Sequence, residues 1–152
     1  MAAVNRVANE SIILIISNPV EAMTYVAWKL SGFPVERVIG SGTTVDSARF
    51  RMIISKKTNE PVESITGMVI GGHGKHILPV YSSVTICGGR SNTVLNQLLE
   101  DKDAKQKIEE IMRSSSRDII KLKGYENWAA GLAVGEIVES ICSVRINSVR
   151  IS

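Results

Sequence analysis

The 152-residue sequence holds only two cysteines, Cys87 and Cys142, far apart in the chain. That is too few for a disulfide framework and the wrong spacing for a zinc site, so no metal is expected and a reducing, cytoplasmic setting is the default. Aromatic residues make up 5%, and the net charge of +3 comes from basic residues that are scattered rather than grouped. A nucleic-acid surface calls for a basic stripe, so no nucleic-acid partner is expected. The longest purely aliphatic run, Ile12 to Ile16, is far too short to span a bilayer. The first residues, Met1 to Arg6, lack the apolar stretch of a signal peptide, and no membrane partner is expected. Also lacking is a G-x-G-x-x-G fingerprint after an early strand, with the acidic ribose partner that follows it in dinucleotide-binding folds.

What is there reads as a globular domain, or part of a larger one, with 44% hydrophobic and 22% charged residues. Ser11 to Ile16 is predicted as a fully buried strand, because every position from Ile12 is apolar. Asn18-Pro19 is predicted to open a helix, with Asn18 as cap and Pro19 at the first helical position. Val20, Met23, Ala27 and Leu30 give it an inward stripe, and Gly32 stops it. Arg37 to Gly40 is a second short strand. Strand, helix and strand in this order predict a parallel α/β sheet. Thr44 caps a helix to about Lys57. Met68 to Ile70 and Ile77 to Ile86 read as strands either side of a glycine turn. A polar loop after Gly88-Gly89 leads to a helix from about Asp103 to Lys123, with stripe Ala104, Ile108, Ile111, Ile119 and Leu122, broken by Gly124. Trp128 to Val144 is predicted as a largely buried helix, with Glu136 and Glu139 on an exposed edge.

The chemistry concentrates in two short segments, Val45-Asp46-Ser47-Ala48-Arg49-Phe50-Arg51 and Gly71-Gly72-His73-Gly74. Asp46 and Arg49 are three apart on a helix and share a face. His73 is one of two histidines and sits at a strand end. A carboxylate beside an imidazole makes a tuned proton donor. An arginine beside both can hold a carboxylate through two parallel hydrogen bonds. Taken singly, each has a blander reading: a solvated ion pair on a helix, a structural histidine in a tight turn. Their joint occurrence favours a site.

These segments resemble the lactate/malate dehydrogenase family, and within it the L-lactate dehydrogenases most closely. The likeness is carried by Ser17-Asn18-Pro19-Val20, Thr24 to Pro34, Arg37 to Gly42, Asp46 to Arg51, His73-Gly74, Ile120 to Tyr125, Trp128-Ala129, Gly131-Leu132 and Glu139-Ser140-Ile141. It implies an α/β fold: the end of a Rossmann-type parallel sheet in residues 1–42, then part of the mixed α+β catalytic domain in residues 43–152. It implies NAD as cofactor, a small 2-oxo or 2-hydroxy acid as substrate, and a homo-oligomer, dimer or tetramer. By the same resemblance His73 is the catalytic proton donor and Asp46 the carboxylate that orients it. Arg49 grips the substrate carboxylate, Asn18 faces substrate and nicotinamide ribose, and Ser41 and Ala130 lie near the nicotinamide.

Some positions depart from the family pattern. Glu126 stands where a pocket-lining threonine is usual, and Ala130 where a larger aliphatic is usual. Gly72 and Lys75 replace acidic neighbours of the histidine, and Lys75 opposes its protonated form. Glu126 either faces the pocket, where it would repel an anionic substrate, or serves as a first-turn acid for the Trp128 helix. The expectation is reversible NADH-dependent reduction of pyruvate to L-lactate by a completed enzyme. The chain itself is expected to be an internal fragment, inactive alone. The alternatives are a malate dehydrogenase and a catalytically silent dehydrogenase-like scaffold.

Overall fold

The computed structural model describes residues 2–89 and 92–143. Two compact units divide the chain, one made of residues 1–44 with 127–152 and the other of residues 45–126. The predicted helix end at Val144 lies outside the described residues.

In the first unit, β1 (Ile13–Ile15) pairs in parallel with β2 (Val38–Gly40), and α2 (Val20–Ser31) connects them. A short helix, α1 (Ala2–Val7), precedes β1. Ile13, Ala27, Phe33 and Val38 form a small core, with Val4, Ile15 and Trp28 against it. The parallel crossover and the Gly32 stop are as predicted; Gly32 has φ of 71°, the left-handed conformation that ends helices. Three details differ. Pro19, not Asn18, holds the N-cap position of α2, and Asn18 makes no capping bond; the Asn18–Pro19 peptide is cis. The first strand is short and not fully buried: only Ile13 is buried, Leu14 and Ile15 are half-buried, and Ile12 and Ile16 beyond its ends are exposed. In α2 only Val20 and Ala27 of the expected stripe are buried, while Met23 and Leu30 are exposed. A two-stranded sheet is too narrow to cover a whole helix face.

Helix α6 (Trp128–Cys142) belongs to the same unit. It is not largely buried: Ala133 and Ile137, four apart, are its buried line, and Trp128, Leu132, Val138 and Ile141 are exposed. Glu136 and Glu139 are exposed, as expected. Among the described residues no helix is long and apolar enough to cross a membrane.

The second unit is built on α3 (Thr44–Thr58) and an antiparallel hairpin, β3 (Ile65–Gly71) and β4 (Ile77–Ile86). Thr44 is the first helical residue rather than the cap. Phe50 and Ile54, four apart on α3, meet Ile65, Val69, Ile77 and Val84 of the hairpin. Leu95 and Leu98 add a further wall from α4 (Thr93–Glu100), and Ile108 and Met112 another from α5 (Lys102–Lys123). The register shifts between Thr66 and Met68, at Gly67, where a Cβ would press on the Phe50 ring at 3.3 Å. Phe50 meets Tyr81 edge-on at 5.4 Å between ring centroids. The Tyr81 hydroxyl donates to the Lys105 carbonyl at 3.0 Å. Burial, helped by the Glu109 carboxylate and partly offset by Arg113, pushes this phenol up to about 12.

Helix α4 corrects the predicted polar loop. Asn92 caps it by accepting from the Leu95 amide at 3.0 Å. On α5 the buried pair is Ile108 and Met112, whereas Ile111, Ile119 and Leu122 of the expected stripe are exposed.

Candidate active site

Asp46 lies in the first turn of α3 and is buried, its side chain 2% exposed. A carboxylate there also sits near the positive end of the helix dipole. Its Oδ1 is 3.6 Å from Arg49 Nη1, one turn further along the same face. Its Oδ2 is 2.7 Å from His73 Nδ1. An ionised carboxylate only accepts, so Nδ1 carries the proton and donates to Asp46. That bond sets the tautomer: in the neutral ring Nε2 is an acceptor, and in the cation it is a donor.

Two features hold His73 over the start of α3. The Ser47 hydroxyl accepts from the Val69 amide at 3.0 Å, which ties β3 to the helix. Gly71 then turns the chain with φ of 85°, and a Cβ there would stand 2.4 Å from the His76 carbonyl oxygen. Gly71→Ala is therefore expected to destabilise the unit by about 1–2 kcal/mol from conformation alone, with the carbonyl clash added. Chemical denaturation of the two forms measures it, and an unchanged midpoint would contradict the turn's role.

Arg49 is held on three sides. Nη1 donates to Ser116 Oγ of α5 at 2.8 Å, and Nη2 makes a close ion pair with Glu126 Oε1. With Asp46 this gives two carboxylates around one guanidinium. Arg49 and Glu126 are 14% and 18% exposed at their side chains. His73 is 25% exposed. Lys75 is exposed on the turn.

Four of the residues singled out in the sequence, Asp46, Arg49, His73 and Glu126, thus meet within the second unit. Ser47 and Ser116 position them and were not anticipated, since both bonds join residues distant in the chain. In the first unit, Asn18 is exposed just beyond β1, and Ser41 follows β2, its amide donating to the Ile15 carbonyl at 2.9 Å. Both stand past the carboxyl ends of adjacent parallel strands, where open α/β sheets place ligands. Ala130 is half-buried in the first turn of α6. Among the described residues no group of three or more His, Cys, Asp or Glu side chains is placed to hold a metal ion.

A buried acid fixing an imidazole, with a guanidinium on the same helix face, can deliver a proton beside an anchored anion. Comparison with known proteins agrees in family. Residues 43–149 match the lactate/malate dehydrogenase alpha/beta C-terminal domain, and residues 1–40 the lactate/malate dehydrogenase NAD binding domain. The L-lactate dehydrogenase A chain of Ambystoma mexicanum is 42% identical over 134 residues, which span 87% of this chain and 40% of that one. The A chain of Danio rerio is 45% identical over 132 residues, with 86% and 40% covered. The B chain of Xenopus laevis is 44% identical over 134 residues, with 87% and 40% covered. The chain thus spans about 40% of the length of these curated relatives. Matched along most of its length by both domains, this chain belongs to the lactate/malate dehydrogenase family.

Proposed function

We propose that these residues serve NAD-dependent interconversion of a 2-oxo acid and its L-2-hydroxy acid, in the manner of an L-lactate dehydrogenase. The observation that carries this reading is the 2.7 Å contact of buried Asp46 with His73, on the helix face that presents Arg49. In this reading Arg49 anchors the substrate carboxylate. Protonated His73 gives its Nε2 proton to the carbonyl oxygen as the carbon is reduced, and recovers it in the reverse direction. Asp46 orients the ring and favours its cationic form.

The donor set beyond β1 and β2 fits the nicotinamide end of the cofactor. An amide (Asn18) and a hydroxyl (Ser41) can each both donate and accept, as a carboxamide and a ribose require. Ala130 would give an apolar wall. Bound NADH supplies the hydride, and the side chains place and polarise the carbonyl. The exposed apolar positions of α6 support a homo-oligomeric state.

The test is a protein that joins this sequence to a complete nucleotide-binding half, assayed by NADH absorbance with pyruvate and with L-lactate. Stoichiometric turnover in both directions is expected, and none in either direction would end the reading. In the same protein Arg49→Lys is expected chiefly to raise KM for the 2-oxo acid, by about tenfold or more. An ammonium cannot reproduce a two-point fork, and one lost charged hydrogen bond is worth about 1.5–3 kcal/mol. Unchanged KM and kcat would remove Arg49 from substrate binding.

A further inference from the structure

We infer that Glu126 is a specificity-determining residue that selects 2-hydroxy and 2-oxo acids carrying a cationic group on the side chain. The inference rests on the proposed function, since it takes Arg49 as the substrate anchor. In the structure the Arg49 guanidinium already holds a carboxylate of its own chain: Nη2 is on Glu126 Oε1, while Nη1 is given to Ser116 and lies 3.6 Å from Asp46. A substrate carboxylate that binds this guanidinium has to share it with Glu126 or displace it.

Glu126 is then an acid only 18% exposed whose one counter-charge is drawn to a second carboxylate. Such a group is costly unless a new partner reaches it. A neutral alkyl tail brings none. A second carboxylate on the tail adds repulsion. An ammonium or guanidinium on the tail takes the place that Arg49 leaves. The ligand then exchanges one ion pair for two: its carboxylate on Arg49 and its cation on Glu126. Recognition by a charge that must be satisfied discriminates more strongly than fit to an apolar wall. The reaction itself is unchanged: hydride leaves C2 for NAD+, and the hydroxyl proton goes to His73.

The test compares three chain-matched acids, L-2-hydroxy-6-aminohexanoate, L-2-hydroxyhexanoate and L-2-hydroxyhexanedioate, with L-lactate as reference. The protein of the preceding test is assayed for their oxidation with NAD+, and its thermal stabilisation by each acid gives a second readout that needs no turnover. The amino acid is expected to exceed the neutral one in kcat/KM by about tenfold or more, with the diacid last. The thermal shifts should follow the same order. Glu126→Gln keeps the shape and removes the charge, so the order should collapse, with the neutral acid and L-lactate gaining. Glu126→Thr should do the same, and the glutamine variant stands if the threonine variant fails to fold. Equal values for the amino and neutral acids, or an order that Glu126→Gln leaves intact, would overturn the inference while the proposed function stands. Oxidation of L-lactate but none of the three longer acids overturns it likewise. Failure with every acid, L-lactate included, removes the proposed function and the inference with it.

Discussion

In the protein that joins this sequence to a complete nucleotide-binding half, His73→Asn is expected to lower turnover by about 10²–10⁴-fold, the usual contribution of a positioned general acid. NADH binding should be unaffected. The substitution keeps a polar side chain of similar reach: the amide nitrogen of asparagine can still donate to Asp46, replacing the 2.7 Å bond from Nδ1. What it removes is a group that can give and regain a proton near neutral pH. The loss should therefore fall on kcat in both directions, and much less on the KM of the 2-oxo acid, whose carboxylate is proposed to rest on Arg49. Steady-state kinetics with a parallel NADH fluorescence titration separate the two. Turnover close to that of the unaltered protein would remove His73 from the chemistry, and a matched loss of NADH affinity would point to a structural role.

How far this arrangement could be read in the sequence depends on how local each interaction is. Asp46 and Arg49 share a helix face by spacing alone. The glycines around His73 announce a tight turn, and Gly71 does require one, with φ of 85°. The parallel pair β1 and β2 followed from the strand, helix and strand order. What failed was mostly an estimate of cover. Met23 and Leu30 in α2 and Ile119 and Leu122 in α5 lie on the right stripes for a buried face, yet are exposed. Periodicity tells which side of a helix is apolar, not how much protein lies against it. Helix α6 is the extreme case: it is apolar nearly all round, and periodicity had no face to choose. Helix α4 was missed because its surface is polar, although Asn92 followed by Leu95 and Leu98 is a capped, amphipathic pattern.

The contacts that shape the site are less legible. Ser116 on Arg49 and Glu126 on Arg49 join residues 67 and 77 positions apart. For Glu126 the sequence offered two orientations of opposite consequence, a pocket carboxylate or a helix-start acid. The ion pair with Arg49 gives it a third relation, as an internal ligand of the group proposed to hold the substrate. Ser47, by contrast, could have been noticed as a hydroxyl between Asp46 and Arg49, but its partner, the Val69 amide, is a backbone group with no side-chain signature.

Asp46→Asn should divide the two directions of reaction. The substitution is nearly isosteric, and the side-chain oxygen can still accept from Nδ1, so His73 keeps an oriented tautomer when the amide lies the right way. The negative charge is lost. A hydrogen bond to a charged group is worth about 1.5–3 kcal/mol, which corresponds to roughly 10–100-fold in rate if it is fully used. In the proposed reaction reduction begins with the cationic imidazole, the form that a neighbouring carboxylate favours, so reduction should fall by about that factor. Oxidation begins with the neutral imidazole and should fall less. The fold should tolerate the change better than loss of a buried charge partner ordinarily allows. Arg49 is the other group that Asp46 serves, at the longer distance of 3.6 Å, and it keeps its ion pair with Glu126 and its bond to Ser116. A buried cation stripped of its only counter-ion is strongly destabilising; here a second carboxylate remains. Kinetics in both directions on one preparation, with a denaturation curve beside them, give the discriminating result. Equal losses in reduction and oxidation would mean that Asp46 acts only by holding the ring in place, and a collapse of stability would mean that Glu126 does not compensate Arg49.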